Sequence, residues 1–371
     1  MQLANSHRIV IKIGSALLVN SEDGKLRQSW LSSLAKDIAT LKEKRKDIII
    51  VSSGAIALGR ARLSLLGRNL SLAEKQACAA AGQSLLTRAY EDVLDNHGIT
   101  TAQALLTLHD TEDRRRWLNA RSTLETLVTL GAIPIINEND TVATDEIRYG
   151  DNDRLAARTA QMMAADTLIL LSDIDGLYSA DPRKDSSAQH IAHVSKLTDE
   201  IMAMGGGVNA QASVGSGGMA TKLSAAKIAT KAGANMCIMD GREESPLTRL
   251  MQGETCTWFE ALDNPKKARQ QWIAGTLKPS GSLIIDDGAA KALTSGKSLL
   301  AAGVTQLSGH FRKGDAVSVE TLGGQEIARG LAAYDATEAV KLLGLNSGDI
   351  IGVLGYDNGA ALIHRDNLVM L

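Results

Sequence analysis

Five short runs of β-branched and aliphatic residues, at 9–13, 48–51, 133–136, 168–171 and 236–239, alternate with segments of helical period such as 30–41. Such alternation calls for right-handed crossovers between parallel strands. Strands that are apolar along their whole length suit a sheet covered by helices on both faces. The chain is therefore expected to be α/β, with a mainly parallel sheet sandwiched by helices. Glycine and polar clusters follow four of the strands, at Gly14-Ser15, Ser52-Ser53-Gly54, Asn137 to Asp140 and Ser172-Asp173. Open α/β sheets bind ligands beyond the carboxyl ends of their strands, so these loops should converge on one site.

The texture changes near residue 263, where a charged stretch containing Asn264-Pro265-Lys266-Lys267 gives way to short strands and glycine turns. Strands are expected at 282–285, 316–321, 326–331 and 350–355, punctuated by Gly288, Gly314, Gly323-Gly324 and Gly348, with one or two short helices. The expected organisation is a first domain over 1–262, a linker over 263–277 and a small, mostly β domain over 278–371. A chain of 371 residues can furnish both cores.

Charge and composition exclude several classes. A net charge of -2 gives no whole-molecule field for nucleic acid or an anionic membrane, and 3% aromatic residues leave little for base stacking. From residue 276 onward, eight lysines and arginines face ten aspartates and glutamates, whereas a phosphate-binding surface should be basic. No run of about 18 apolar residues occurs, and the first apolar run reads as a strand, not a secretory signal. Cys78, Cys237 and Cys256 lack CxxC spacing, which argues against a disulfide framework or structural zinc and fits a reducing, cytoplasmic compartment.

Two pieces suit phosphate. In Val10-Ile11-Lys12-Ile13-Gly14-Ser15 a lysine lies within an apolar strand, two residues before a glycine that lets backbone N–H groups approach an anion. The same pattern fits a lysine on an edge strand whose stem lies along apolar surface. Neither GxxxxGK[ST] nor a GxGxxG after the first strand is present, so any cradle differs from the common ones. In Gly215-Ser216-Gly217-Gly218-Met219-Ala220-Thr221-Lys222, glycines lead into a helix expected over 223–232, where backbone donors and the helix dipole favour phosphate. A surface loop with a solvated lysine is the alternative; upstream, Gly205-Gly206-Gly207 suggests a mobile lid.

Two further clusters, Asn137-Glu138-Asn139-Asp140 and Gly150-Asp151-Asn152-Asp153, fit turns and helix caps as well as amino acid recognition. Carboxamides offer paired donors and acceptors to an ammonium and a carboxylate, and an aspartate can hold an ammonium or a lysine. The stretch Ser172-Asp173-Ile174-Asp175-Gly176-Leu177-Tyr178, with Asp181-Pro182, has the makings of a nucleotide-facing loop or of ordinary turns.

In this order the motifs, together with Val51-Ser52-Ser53-Gly54-Ala55-Ile56-Ala57, resemble the amino acid kinase superfamily. Along nearly the whole chain they are similar to its branch that phosphorylates the side chain of free L-glutamate, the first step of proline biosynthesis. Serine replaces a frequent threonine at Ser15 and Ser52, keeping the hydroxyl. The resemblance implies that Ser53, Asp140 and Asn152 hold glutamate. ATP would be held by Lys12, Gly14, Ser172, Asp173 and the loop Ser216, Gly217, Gly218, Met219, Ala220, Thr221 and Lys222. The catalytic work would fall to Lys12 and Lys222 flanking the phosphoryl group, with Asp153 organising both lysines. Mg²⁺ accompanies ATP in that family. The C-terminal region resembles a PUA domain, including the Arg312-Lys313-Gly314-Asp315 turn.

The resemblance also implies a homo-oligomer (dimer or tetramer), feedback inhibition by proline and a link to glutamate-5-semialdehyde dehydrogenase. Two rivals remain at the level of sequence. One is a sister kinase acting on N-acetylglutamate, aspartate, carbamate or UMP; the other is an RNA-binding PUA protein whose kinase half is a scaffold.

Overall fold

The computed structural model describes residues 2–142, 152–206, 218–276, 278–356 and 359–371. It divides into two compact units, Met1–Pro265 and Lys266–Leu371. Residues 263–277, read from sequence as a linker, largely form the helix Pro265–Thr276. The charged residues that suggested a linker occupy its first turn.

Among its described residues the first unit carries ten strands: β1 Arg8–Ile13, β2 Asp47–Ser52, β3 Thr101–Leu106, β4 Ile133–Glu138, β5 Thr167–Ser172, β6 Leu177–Tyr178, β7 His190–Ile191, β8 His193–Val194, β9 Asn235–Asp240 and β10 Cys256–Phe259. Eight of them form one sheet in the order β3-β4-β2-β1-β5-β9-β10-β8, while β6 and β7 pair as a separate hairpin. From β3 to β9 every pairing is parallel; β10 runs antiparallel to β9. All five β-branched runs seen in the sequence are strands of this sheet. β3 escaped notice because Thr-Ala-Gln-Ala-Leu-Leu lies at the sheet edge, only partly buried, and needs no β-branched run.

Alternation along the strands fills a core on each face. Ile9, Ile11 and Ile13 pack with Trp30, Leu34 and Ile38 of the helix Gln28–Glu43 and with Leu86, Tyr90 and Val93 of the helix Leu72–Asp95. Val10, Val51, Leu168 and Leu170 pack on the other face with Leu155 and Ala156 of the helix Asn152–Met162 and Leu223 and Ala226 of the helix Met219–Lys231. Lys12, two residues after Val10, takes the second face. Its strand has neighbours on both sides, Lys12 facing Val51 and Leu170, which removes the edge-strand reading.

The helices Ala55–Arg62 and Leu72–Asp95 meet backbone to backbone. A Cβ on Gly82 would fall 1.8 Å from the carbonyl oxygen of Ala55, and one on Gly59 would fall 1.8 Å from that of Cys78. Only glycine permits this approach, and it brings the long helix close to the loop that follows β2.

The second unit has strands β11 Gly281–Ile285, β12 Leu299–Leu300, β13 Val304–Gly309, β14 Ala316–Thr321, β15 Glu326–Leu331, β16 Ala361–Ile363 and β17 Leu368–Met370. Five form a sheet in the order β13-β11-β14-β15-β17, parallel only between β11 and β14, and β12 pairs with β16. Its own core includes Leu283, Val317, Val319, Phe311, Tyr334 and Ile363. Three of the four expected strands are present. The fourth, 350–355, is instead the helix Ile350–Leu354, ended by Gly355 in the left-handed conformation at φ 77°. Ile350 and Leu354 share the core-facing side at a spacing of four while Ile351 and Val353 are exposed, a helical pattern too short to be distinguished from a strand by composition.

Candidate active site

The carboxyl ends of β1, β2, β4 and β5 carry the loops singled out by sequence. Lys12, the next-to-last residue of β1, extends toward the first turn of the helix Asn152–Met162. There its Nζ lies 2.6 Å from Asp153 Oδ1. Lys222, in the first turn of the helix Met219–Lys231, brings its Nζ to 3.1 Å from Asp153 Oδ2, and Thr221 Oγ1 donates to the same oxygen at 3.2 Å. One carboxylate therefore spans two ammonium groups that lie far apart in the sequence.

All three side chains are nearly closed to solvent, at 9% for Lys12, 5% for Lys222 and 2% for Asp153. Burial pushes the Asp153 carboxyl up, but the charges of Lys12 and Lys222 and their hydrogen bonds outweigh it and hold the pKa at about 2. The two ammonium groups outnumber the one carboxylate that they share, and the Lys12 ammonium carries three hydrogens, more than its contact with Asp153 can use. Gly14 adds room: a Cβ there would stand 4.0 Å from Lys12 Nζ and 3.7 Å from the Leu171 carbonyl oxygen.

Asn152, beside Asp153, joins this cluster to a second one. Its Nδ2 donates to Ser53 Oγ at 2.6 Å and to Asn137 Oδ1 at 3.0 Å, and lies 3.3 Å from the Ser52 carbonyl oxygen. The side chain thus points into the site and does not cap its helix. Its Oδ1 is buried and, among the described residues, has no hydrogen-bond partner. Ser53 continues the β1–β2 ladder through its N–H to the Ile13 carbonyl at 3.0 Å. Gly54 then turns the chain at φ 117° into the helix Ala55–Arg62, a conformation that favours glycine. Ser52 is buried and its hydroxyl meets Tyr90 Oη at 2.9 Å, so it braces the strand end while Ser53 faces the site.

Asp140, two residues beyond β4, is 9% exposed and has no ion-pair partner among the described residues. Burial alone raises its pKa to about 6. A buried carboxylate without a cation is costly, and a ligand ammonium group would relieve that cost.

On the other side of β1, Ser172 ends β5. Its carbonyl accepts from Gly241 N–H at 2.8 Å and its hydroxyl donates to Asp173 Oδ1 at 3.2 Å. Asp173 itself is exposed. The hairpin beyond it is tied down by Leu177 N–H donating to Thr257 Oγ1 at 2.7 Å. Gly218 caps the helix Met219–Lys231, whose first-turn N–H groups at Met219 and Ala220 are the donors a helix start offers an anion. The helix starts four residues before the expected position. Ser216 and Gly217 lie outside the described residues, as do Gly207, Gly215, Gly150 and Asp151.

Lys12, Asp153, Thr221 and Lys222 thus gather in one cluster and Ser53, Asn137 and Asn152 in the adjoining one. The sequence reading gave no role to Gln83, whose Oε1 accepts from Asn137 Nδ2 at 2.9 Å. The available signal was its place directly after Gly82 in an alanine-rich stretch, a composition that favours close helix packing.

The model of the amino acid kinase family matches residues 7–240, and that of the PUA domain matches residues 281–354. A glutamate 5-kinase of Paramagnetospirillum magneticum is 54% identical over 368 residues, covering 99% of both chains. One from Caulobacter vibrioides is 55% identical over 365 residues, 98% of this chain and 97% of that one. One from Brucella ovis is 56% identical over 369 residues, 100% of this chain and 97% of that one.

Proposed function

This chain belongs to the amino acid kinase family and, within it, to the glutamate 5-kinases; from that membership we propose that it transfers the γ-phosphoryl group of ATP to the side-chain carboxylate of L-glutamate. The product is γ-glutamyl phosphate, and the step opens proline biosynthesis. The observation that carries the reading is the span of Asp153 between Lys12 and Lys222.

A carboxylate nucleophile is ionised near neutral pH, so no general base is needed. What the reaction requires is alignment and neutralisation of the charge spread over the migrating group's oxygens. Lys12 and Lys222 supply the charge. Asp153 is the positioning residue: with both oxygens engaged by lysines, it fixes the separation of the two ammonium groups. Lys12, Gly14, Ser172, Asp173 and the segment Ser216 to Lys222 form the ATP side of the site. Mg²⁺ enters as part of the MgATP substrate, borne on phosphate oxygens. No group of three or more metal-ligating side chains occurs among the described residues, and Asp153 is taken by the lysines.

Glutamate takes the other side. Asp140 and the free Oδ1 of Asn152 receive its ammonium group. Ser53, whose oxygen already accepts from Asn152, has its own hydrogen left to donate to a substrate carboxylate. Proline likewise carries a cationic amine, a ring R2NH2+ group, and a carboxylate on one carbon, so feedback inhibition by proline acts at this position. Because an acyl phosphate hydrolyses readily, the enzyme works alongside glutamate-5-semialdehyde dehydrogenase, as a homo-oligomer in the cytoplasm. No helix among the described residues is long and apolar enough to cross a membrane.

Isothermal titration with proline tests the shared site. Competition with glutamate is expected, and proline binding that leaves glutamate binding unchanged would refute it.

A further inference from the structure

Asn152 spends its carboxamide nitrogen within the protein, on Ser53 Oγ, Asn137 Oδ1 and the neighbouring Ser52 carbonyl. Its Oδ1 is left buried and without a partner among the described residues. Turned the other way, the amide would set that oxygen against Asn137 Oδ1 and the Ser52 carbonyl, acceptor against acceptor. The Ser52 carbonyl is a fixed acceptor at 3.3 Å, while the shorter contact, at 3.0 Å, lasts only as long as Asn137 keeps its oxygen toward Asn152, and that orientation is decided one step further out.

Asn137 Nδ2 donates to Gln83 Oε1 at 2.9 Å, and Gln83 Nε2 donates to Thr87 Oγ1 at 3.3 Å. The single hydroxyl hydrogen of Thr87 goes to the Gln83 carbonyl or to Gln103 Oε1, each at 3.0 Å, so its oxygen faces the Gln83 amide as an acceptor. The hydrogen bonds run in one direction, from Asn152 through Asn137 and Gln83 to Thr87. The contact of Gly82 with the Ala55 backbone sets the position of the helix that carries Gln83.

We infer that Gln83 is a positioning residue for amino acid recognition, holding the Asn152 carboxamide through Asn137 so that Oδ1 faces the substrate's ammonium group. Gln83 does not touch the substrate. The inference rests on the assignment of Ser53, Asp140 and Asn152 to glutamate.

The test compares steady-state kinetics on glutamate and on glutarate, which lacks only the amino group, in the full-length enzyme with wild-type Gln83, Gln83→Leu, Gln83→Met and Gln83→Glu. Leucine and methionine keep the bulk without a strong acceptor and release Asn137; glutamate keeps the acceptor. For Gln83→Leu and Gln83→Met, the glutamate-to-glutarate ratio of kcat/KM should fall about tenfold, the worth of one hydrogen bond to a charged group, with the KM for ATP unchanged. Gln83→Glu should keep a ratio near that of wild type. A wild-type ratio in whichever of the two apolar variants folds, or an equal loss in Gln83→Glu, overturns the inference and leaves the glutamate site standing. A wild-type enzyme that does not distinguish glutamate from glutarate overturns the ammonium assignment and the inference together.

Discussion

The Nζ of Lys12 lies 2.6 Å from Asp153 Oδ1, deep enough that neither side chain exposes a tenth of its surface. Removing the charge of Asp153 leaves two buried ammonium groups to repel each other. Asp153→Asn should cost about 3–5 kcal/mol in stability, the usual penalty for breaking a buried pair. It should also lower kcat by about a hundredfold or more as the lysines separate. Denaturant titration and initial rates measure the two effects. Because the folded pKa of about 2 lies below that of an unfolded aspartate, this stabilisation is present above about pH 4 and is lost as pH falls toward 2.

Lys222 is assigned to charge that develops as the phosphoryl group moves. Lys222→Ala should therefore lower kcat by about 10²–10³, with a much smaller change in the KM for glutamate. An equal loss in both parameters would mean that the lysine binds the ground state equally well.

Asp140, assigned to the substrate's ammonium group, should give the enzyme a pH dependence. Its carboxyl in the free enzyme titrates at about 6, raised by burial, and only the ionised form attracts an ammonium group. The kcat/KM for glutamate should fall as pH drops through about 6, while the KM for ATP stays level. Asp140→Asn should lower kcat/KM about 10–100-fold near neutral pH and abolish that limb of the profile.

The fold was legible wherever one strand could be read by itself. The runs containing Lys12, Val51, Ile136, Leu170 and Ile238 are buried on both faces, and continuous apolarity is what that burial demands. The segments 101–106 and 350–355 were not legible, because an edge strand needs no β-branched run and a five-residue helix shows too little period. In the site, Lys12, Asn152, Asp153 and Lys222 stood out by their glycine neighbours and their place at strand and helix ends. Their pairing across 69 residues, from Asp153 to Lys222, is a property of the sheet and not of any motif. Gln83 was hidden for the same reason: it lies 54 residues from Asn137 on a helix whose pattern reports only packing.

The glycine contact between the helices Ala55–Arg62 and Leu72–Asp95 can be tested directly. Gly82→Ala puts a Cβ 1.8 Å from the Ala55 carbonyl oxygen, so the helices must move apart. Overpacking of this kind costs about 1–3 kcal/mol. The Tm should fall by several degrees, and the KM for glutamate should rise more than that for ATP, because Gln83 and Ser53 sit on either side of the contact.

The central claim is tested most directly by trapping the product. With MgATP and hydroxylamine, the acyl phosphate is intercepted as a hydroxamate, alongside stoichiometric ADP. The enzyme should yield both with glutamate and far less with N-acetylglutamate, aspartate or UMP. Absence of hydroxamate and of ADP at saturating glutamate and MgATP, or a clear preference for one of the other acceptors, would contradict it.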